Sequence, residues 1–454
     1  MTSSLMAAAL APSVTKAQTS QSRGDTALAY ATAFQATVFG YPLQGMYARM
    51  SAEVLNPAIR KAPFNTFFHY RELATPTVSP FPAPNNDTLY STAWLDLRRE
   101  PAILGTPEMS GRYYTAQILD LTTETIANVG RREDGDGPGV FAIVGPGWSG
   151  DLPANVKRVI RSETSIAYVL LRILVDGPED VPAVNALQDR FSLASLSRFR
   201  MGQTGVNEES LPPLYVAEDA RQRLGVLDRV LRMSPTREVD KGMVASFAPL
   251  GIGPKDPTLR ISPTDETLDR AEADARALIA TVGARTGSFV NGWRMPAKAI
   301  GRYGVDYLQR ASVWDGGPLA NIVEESFYPA ALLDDAGRPL DGASARYQLR
   351  FGPGMTPPVD AFWSLTMYKL DDKFLVANSI NRYSIGNRTQ GLLRGADGSL
   401  TINIQAERPT DAAAVANWLP APRQHFYMVL RLYGPASEAL SGSWAPPPVE
   451  RLRQ

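Results

Sequence analysis

Hydrophobic and polar residues alternate along several short stretches in two separate parts of the chain, as they do in β-strands that bury one face. Clusters rich in Gly, Pro and Asp separate these stretches and are typical of turns. The candidate strands between residues 64 and 180 are DTLYSTAWLDL, RYYTAQILDL, TIANVG, GVFAIVG, KRVIRS and IAYVLLRILV. Those between residues 340 and 435 are ARYQLRFG, FWSLTMYKL, LTINIQA and HFYMVLRLYGP.

Two other parts of the chain have the 3.6-residue period of helices. Residues 26–60 carry aromatic and apolar side chains at helical spacing, and Pro42 after Gly40 predicts a break. Residues 181–330 contain EDVPAVNALQDRFSLASLS and SPTDETLDRAEADARALIATVGA. In the second of these, Thr264 is a candidate N-cap and Gly283 stands near the end.

The order of these blocks predicts an α+β fold that is mainly β, with two antiparallel β-sandwich modules, resembling jelly rolls, joined by helices. Helices do not alternate with strands, so a parallel α/β sheet is disfavoured. We expect a leader remnant or disordered tail over 1–25 and an N-terminal module with its leading helix over 26–180. A mainly helical connector over 181–330 and a C-terminal module over 331–454 complete the prediction.

Charge and composition exclude several classes of protein. Lys plus Arg and Asp plus Glu both number 46, which argues against nucleic acid as a partner. No apolar run approaches 18 residues, so no membrane span is expected. The chain has no cysteine and two histidines, which excludes cysteine nucleophiles, cysteine-ligated metals and three-histidine zinc sites. No nucleotide-binding fingerprint or serine-hydrolase G-x-S-x-G motif is present, and no cofactor is expected.

The first residues, MTSSLMAAALAPSVTKAQTSQSRGD, contain a short apolar run followed by a small-residue boundary. This pattern is typical of the end of a secretory signal peptide and predicts a periplasmic or secreted protein. The positively charged start of such a peptide is missing, so the true start would lie upstream. An alanine-rich disordered tail is the alternative.

The wording and order of several motifs resemble a bacterial protein family. The segments PNNDTLYSTAWLDL, GRYYTAQILDL, IVGPGWSGDLP and LLRILVDGPEDVPAVNALQ resemble domain of unknown function 1254. The segments FWSLTMYKLDDKFLVANSINRYSIG, DGSLTINIQ, NWLPAP and FYMVLRLYGP resemble its companion, domain of unknown function 1214. The resemblance implies two β-sandwich modules joined by helices, and often export, but it assigns no activity.

The segment PNNDTLY offers the first candidate site. Pro82 and Pro84 restrict the backbone, and the following Asn and Asp residues are natural turn formers. One interpretation is an Asx-type turn that caps the strand. The other is a rigid polar rim in which Asp87 acts as acid, base or cation ligand and Asn86 binds substrate.

Other candidates follow along the chain. Arg112 would either pair with Asp87, Asp96 or Asp120 or bind an anionic ligand, together with Tyr114 and the strand-terminal Asp120. His69 would be a general base or a hydrogen-bonded core residue. The remaining candidates are Tyr303, Tyr307 and Arg310, whose helical spacing would place them on one face, either in the core or as a wall of a cleft.

These residues predict an exported protein with a polar cleft between its β modules. One hypothesis is a hydrolase or lyase in which Tyr307, Asp87 and His69 provide acid–base chemistry on a glycan or another small polar substrate. The second is a non-catalytic protein that binds a carbohydrate or small molecule, and the third is a structural protein of the envelope. Asn86, Asp87 and Asp120 could also hold calcium or magnesium. Homo-oligomerisation is plausible because sandwiches leave edge strands to cover.

Overall fold

The computed structural model describes residues 11–78, 83–205, 217–253 and 259–452, with side chains described from residue 22 onward. The chain begins with a 40-residue helix, α1 (Ala11–Met50), which continues as one π-turn, Ser51–Leu55. The helix therefore starts within the segment predicted as a leader or tail, and residues 1–10 lie outside the described part. Among the described residues, no helix is both long and apolar enough to cross a bilayer.

The predicted break at Pro42 is wrong, because α1 continues through Gly40 and Pro42. Proline inside a helix removes one backbone hydrogen bond and costs about 3 kcal/mol. Tertiary packing offsets that cost, since α1 buries Phe39, Leu43 and Met46 against other helices. A Cβ atom on Gly40 would lie 2.8 Å from the Leu227 side chain, so glycine permits this close contact.

The N-terminal module consists of two sheets. Sheet A has the strand order β1-β2-β8-β4-β5 and is antiparallel throughout, and sheet B has the order β7-β6-β3-β9 with one parallel pair, β6 and β7. The strands are β1 (Phe68–His69), β2 (Thr88–Asp96), β3 (Ala102–Thr106), β4 (Tyr114–Asp120), β5 (Thr125–Gly130), β6 (Gly139–Val144), β7 (Arg158–Arg161), β8 (Ile166–Leu174) and β9 (Ser192–Ser195). Three short helices accompany them: α2 (Arg131–Asp134), α3 (Val181–Gln188) and α4 (Leu196–Arg200).

Alternation along the strands sends one set of side chains of sheet A towards sheet B. Leu89, Ala116 and Val169 belong to this core, which the two sheets share. The opposite face of sheet A packs against a layer of helices formed by α1, α5 (Ala220–Met233), α6 (Lys241–Ala245), α7 (Asp265–Arg285) and α8 (Tyr307–Gly316). The predicted N-cap is present, because Thr264 Oγ1 accepts a hydrogen bond from the Thr267 amide.

The C-terminal module also consists of two sheets. Sheet C has the order β10-β11-β13-β19-β15-β16 with β12 on β19, and sheet D has the order β18-β17-β14-β20 with one parallel pair. The strands are β10 (Phe289–Val290), β11 (Trp293–Arg294), β12 (Ser326–Phe327), β13 (Ala330–Ala331), β14 (Arg346–Phe351), β15 (Val359–Lys369), β16 (Ser384–Gly386), β17 (Leu400–Gln405), β18 (Trp418–Pro420), β19 (Phe426–Pro435) and β20 (Val449–Leu452). Two short helices are α9 (Ala412–Ala416) and α10 (Ser437–Ser441).

The mixed α+β fold, mainly β, agrees with the prediction from sequence. The segment predicted as a helical connector differs in detail, because β9 joins sheet B and β10 to β12 join sheet C. Strand β9 lies in FSLASLS, which is too short for periodicity alone to distinguish a strand from a helix. Pairing with β3 decided its conformation.

Candidate functional site between the two β modules

Sheet C presents a polar and aromatic face to the N-terminal module. Along β15 and β19, Trp363, Leu365, Met428 and Leu430 point into the C-terminal core. The alternate residues must point the other way, because side chains on a strand alternate between its faces. They are nonetheless almost completely buried: Phe362, Ser364, Thr366, Tyr368, Arg431 and Tyr433.

The matching surface of the N-terminal module lies at one end of sheet A. Tyr90 on β2 and Arg172 on β8 are cross-strand partners on the face that points away from sheet B. Tyr113, just before β4, stacks edge-on against Phe362 and Tyr433 of the other module, with ring centres 5.5 Å apart in both pairs. The two β modules therefore meet through polar and aromatic side chains. We call Tyr90, Tyr113, Arg172, Tyr328, Arg431 and Tyr433 the inter-module cluster.

The two arginines of the inter-module cluster make hydrogen bonds to neutral groups. Arg172 donates to Oε1 of Gln117 at 2.9 Å and to the carbonyl of Leu319 at 3.4 Å. Arg431 donates to Oγ1 of Thr366 at 2.9 Å and to the carbonyl of Ala83 at 3.1 Å.

Neither guanidinium has an acidic counterpart in the part of the chain that the structure describes. Among the described residues, no Asp or Glu forms an ion pair with Arg172 or Arg431. Both side chains are about 95% buried. Burying a charge is costly unless a counter-charge accompanies it. Two such cations at one interface make it electropositive.

The tyrosines around these arginines keep their phenolic protons at neutral pH. Burial raises the pKa of Tyr90, Tyr113 and Tyr433 above the usual value of the phenol. Tyr113 donates to Oε1 of Glu325 at 2.7 Å, and Arg132 pairs with the other oxygen of this carboxylate at 2.7 Å. Glu325 is therefore already engaged.

Two hydroxyl groups of the C-terminal module lack partners at this interface. Ser326 and Tyr433 are cross-strand neighbours on β12 and β19, and both are buried. Within the described part of the chain, neither hydroxyl has a hydrogen-bond partner. An unsatisfied buried polar group costs about 1–3 kcal/mol, so such groups often mark a binding site or ordered water. The ring centres of Tyr433 and Tyr328 lie 5.9 Å apart, and Tyr328 is partly exposed.

The segment PNNDTLY borders this site and forms an Asx turn. Oδ1 of Asn85 accepts hydrogen bonds from the amides of Asp87 and Thr88, both at 2.9 Å. Its Nδ2 donates to the Tyr90 hydroxyl at 2.6 Å. The Asx turn, one of the two interpretations of this segment, is therefore present at Asn85. Pro82 lies outside the described residues.

Asp87 links the two modules rather than lining an open cleft. Its Oδ2 accepts a hydrogen bond from Ser364 at 2.6 Å, and its Oδ1 lies 3.1 Å from Nη2 of Arg388. The Arg388 guanidinium also stacks on Phe362 at 4.5 Å from the ring centre. Asn86 is partly buried, and its Oδ1 has no partner within the described residues.

Arg112 and Tyr114 are both occupied elsewhere in the N-terminal module. Arg112 forms a two-pronged pair with Asp180, in which Nη2 lies 2.9 Å from Oδ1, and it also donates to the carbonyl of Leu174 at 2.8 Å. The predicted carboxylate pairing is present, but Asp87, Asp96 and Asp120 were the wrong partners. Tyr114 is completely buried between sheets A and B, and burial raises its pKa to about 12.

Asp120 lies in a separate buried network at the end of β4. Its Oδ1 accepts hydrogen bonds from the amide and hydroxyl of Thr122, both at 2.8 Å, and from the Glu124 amide at 3.1 Å. Arg237 lies 4.0 Å from Oδ2 of Asp120 and pairs with Asp240 at 2.7 Å. Burial raises the pKa of Asp120 to about 6, although the nearby Arg237 opposes this shift.

The structure brings Tyr303, Tyr307 and Arg310 next to this Asp120 network. Tyr303 precedes α8 rather than lying on it, so the predicted shared helical face is wrong for this residue. Arg310 is fully buried, with its guanidinium 5.1 Å from the ring centres of Tyr307 and Phe39. The two tyrosines therefore pack near the helical layer and lie outside the inter-module cluster. They are also distant from Asp87 in sequence.

The imidazole of His69 is neutral at neutral pH and makes a hydrogen bond within the protein. Its Nδ1 lies 2.7 Å from Oγ of Ser91, and its ring stacks on Phe67 with centres 5.7 Å apart. Burial, with a contribution from Arg71, lowers its pKa to about 4. His425 is exposed. Among the described residues, no group of three acidic or histidine side chains is placed to hold a metal ion.

Sequence reasoning missed Arg172, Arg431, Tyr328 and Tyr433. A signal was present for the two arginines, because each interrupts an apolar strand, IAYVLLRILV or HFYMVLRLYGP. A charged residue within such a run is buried only if something pairs with it. The sequence contained no indication that the two strands face each other.

The fold and the site define a protein of two β-sandwich modules with an arginine–tyrosine cluster buried between them. Residues 64–195 match the family model described as "Protein of unknown function (DUF1254)", and residues 325–437 match "Protein of unknown function (DUF1214)". The chain belongs to the family that pairs these two domains, as its motifs predicted.

One of the two solved structures compared with this chain has a similar fold. The VPA0106 protein from Vibrio parahaemolyticus is 24% identical, with a TM-score of 0.73, over 94% of this chain and all of that one. A putative uncharacterized protein from Burkholderia cenocepacia is 13% identical, with a TM-score of 0.44, over 96% of this chain and 97% of the other. No curated protein matches this chain.

Proposed function

We propose that this protein binds a small anionic polar molecule, such as a carboxylated sugar, at the inter-module cluster. The observation that carries the proposal is the pair of buried arginines, Arg172 and Arg431, that have no acidic counterpart among the described residues. A carboxylate would balance part of this charge and accept hydrogen bonds from guanidinium groups. The unpartnered hydroxyls of Ser326 and Tyr433 would serve as further donors to it.

The geometry favours binding over the acid–base machinery predicted from sequence. Asp87 is committed to Ser364 and Arg388, and Arg112 is committed to Asp180. Tyr307 packs against Phe39, away from both. Protonated phenols with raised pKa values bind anions well but are weak bases at neutral pH.

We expect Arg431→Met to weaken binding of the anionic ligand about 100-fold. A charge-assisted hydrogen bond contributes about 1.5–3 kcal/mol, and methionine retains most of the side-chain volume. Isothermal titration calorimetry with galacturonate, succinate and neutral galactose would measure this effect. The matched control is Arg350→Met, which alters an exposed arginine of the same module that pairs with Asp397.

The control variant should bind like the native protein. Galactose binding as tight as galacturonate binding would contradict the requirement for a negative charge. Unchanged galacturonate affinity in Arg431→Met, with native circular dichroism, would contradict the assignment of the site.

A lyase or hydrolase acting on the same class of molecule is the second proposal. The observation in its favour is that the unpartnered phenol of Tyr433 lies two residues from Arg431 on the same strand face. In β-elimination beside a uronate, the arginine would neutralise the carboxylate, and the Tyr433 oxygen would take the proton from C5 as its own proton passes to the departing oxygen on C4. Product formation from oligogalacturonate that is lost in Tyr433→Phe would establish catalysis, and binding without turnover would exclude it for this substrate.

Export is a further part of the proposal. The apolar run in MTSSLMAAALAPSV supports it, and the absence of cysteine is compatible with either compartment. We expect that, when expressed from its own gene in its native host, the protein will appear in the periplasm or medium with a shortened N-terminus. Fractionation followed by N-terminal sequencing measures this, and an intact protein confined to the cytoplasm would contradict it.

A further inference from the structure

A second group of buried donors without acceptors lies where α1 ends. Helix α1 passes into a π-turn at Ser51–Leu55, a distortion that recurs at functional sites in other proteins. The turn packs against sheet A at Trp94 and Tyr168, whose ring centres are 4.8 Å apart. Tyr168 is four residues from Arg172 along β8, so this place is distinct from the inter-module cluster.

Two cations share one carboxylate at this turn. Nη2 of Arg49 and Nζ of Lys61 both lie 3.0 Å from Oε1 of Glu53. The other oxygen of Glu53 accepts a hydrogen bond from Nε1 of Trp94 at 2.9 Å. No second Asp or Glu in the described part of the chain pairs with either cation. One positive charge therefore remains without a counter-charge.

The polar groups that lack partners here include three hydrogen-bond donors. Nε and Nη2 of Arg49 and the hydroxyl of Tyr168 are buried without an aligned hydrogen bond among the described residues, although the hydroxyl lies close enough to the guanidinium to interact with it. The contact between Nη2 and Glu53 is an ion pair that is not aligned as a hydrogen bond. The Arg49 guanidinium lies 5.4 Å from the centre of the Tyr168 ring. Burial raises the pKa of Tyr168, so its hydroxyl carries a proton at neutral pH.

The unpartnered edge of Arg49 has the shape that binds carboxylates. Nε and Nη2 lie on one side of a guanidinium and can contact both oxygens of a carboxylate at once. Other arginines of this chain use this same edge, with hydrogen bonds between 2.5 and 3.1 Å. These pairs are Arg98 with Asp96, Arg223 with Glu272, and Arg237 with Asp240.

We propose that the Arg49 edge and the Tyr168 hydroxyl bind the carboxylate of a small molecule. Lys61 forms the rim of this site, because its side chain is 30% exposed and its ammonium donates a hydrogen bond to the Tyr70 hydroxyl at 2.6 Å and lies 5.6 Å from the centre of the Phe68 ring. These rings supply an apolar contact for the remainder of the ligand, so an aromatic carboxylate fits better than acetate. The Arg49 donors are closed to water in this structure, and binding therefore requires the flexible Lys61 side chain to move aside.

The test uses the full chain carrying Arg431→Met, which removes one of the two inter-module arginines. This chain is titrated with benzoate, acetate and phosphate at constant ionic strength. Benzoate should bind more tightly than acetate, and both more tightly than phosphate. Adding Tyr168→Phe should weaken benzoate binding about tenfold, and Arg49→Met should abolish it. Tyr383→Phe, which removes a hydroxyl bonded to Asn381 in the C-terminal module, should have no effect.

The melting temperature of Tyr168→Phe, measured without ligand, provides a second test of the proposal. Because the Tyr168 hydroxyl has no aligned hydrogen bond among the described residues, Tyr168→Phe should leave the melting temperature unchanged or raise it. A fall in melting temperature together with unchanged benzoate affinity would show that the hydroxyl bonds within the protein, and would overturn the proposal. Phosphate binding as tight as benzoate binding would overturn the assignment to carboxylates.

Discussion

Replacing Asp87 with alanine is expected to lower the free energy of unfolding by about 3–5 kcal/mol, because it removes the buried carboxylate from a largely buried ion pair. Asp87 is 95% buried and holds Arg388 and Ser364 of the other module. Arg388 would retain the carbonyl of Val175 at 2.6 Å and the exposed carboxylate of Asp176 at 3.4 Å. Urea denaturation followed by circular dichroism and tryptophan fluorescence measures the change.

Asp397→Ala is the matched control for this prediction. Asp397 also pairs with an arginine, Arg350, but both side chains are about half exposed. Surface pairs contribute about 0–1 kcal/mol, so the control should unfold close to the native protein. If Asp87→Ala changes stability by no more than the control does, Asp87 does not join the modules.

The stability difference between native protein and Asp120→Asn is expected to depend strongly on pH. The folded state raises the pKa of Asp120 from 3.8 to about 6, so it binds the proton more tightly than the unfolded chain. The contribution of Asp120 to the free energy of unfolding is therefore most favourable at low pH. This contribution is lost as pH rises from about 4 to 6. Above that range, the native protein bears a cost of about 3 kcal/mol that the amide avoids.

Denaturation curves at pH 4 and pH 8 test this expectation. The amide oxygen of Asn can still accept the hydrogen bonds from Thr122 and Glu124, so the variant should gain relative to native protein at pH 8. Asp265→Asn, at an exposed carboxylate that pairs with Arg221, should show a difference below about 1 kcal/mol at both pH values. A native–Asp120→Asn difference that is independent of pH would refute the raised pKa.

Both predictions concern buried charges, and the structure uses buried charges in two different ways. At Asp87 and Asp120 the carboxylates have protein partners, so these groups join elements of the fold. Within the described residues, Arg172 and Arg431 have no carboxylate partner, and two buried nitrogens of Arg49 have no aligned acceptor. The lack of protein partners, rather than burial itself, distinguishes a candidate ligand site from a structural pair.

Much of the secondary structure could be predicted from local patterns. The stretches LYSTAWLD and FWSLTMYK form β2 and β15 because their alternation matches the pleat of a strand. Thr264 caps α7 and Asn85 forms an Asx turn because each bonds to backbone within three residues. Motif wording also identified the family, since both domain models match where the motifs lie.

The candidate site residues could be predicted less well, because their partners are distant in sequence. Arg112 has a carboxylate partner, but Asp180 reaches it through the pairing of β4 with β8 and the turn after β8. Asp87 was expected at an open rim, yet the C-terminal module covers it with Ser364 and Arg388. The helix continues through Pro42 because packing outweighs the local cost.

The sequence by itself determined most of the strands and helices, which family the chain belongs to, and that cysteine chemistry is excluded. These properties depend on residues that are neighbours in the chain. Only the tertiary structure decided that Arg172 and Arg431 meet at one interface and that Asp87 is occupied there. The physical reason is that a charged side chain on a strand can face solvent, a partner or a ligand, and its own strand does not specify which. The facing sheet determines that choice, because it supplies or withholds the counter-charge.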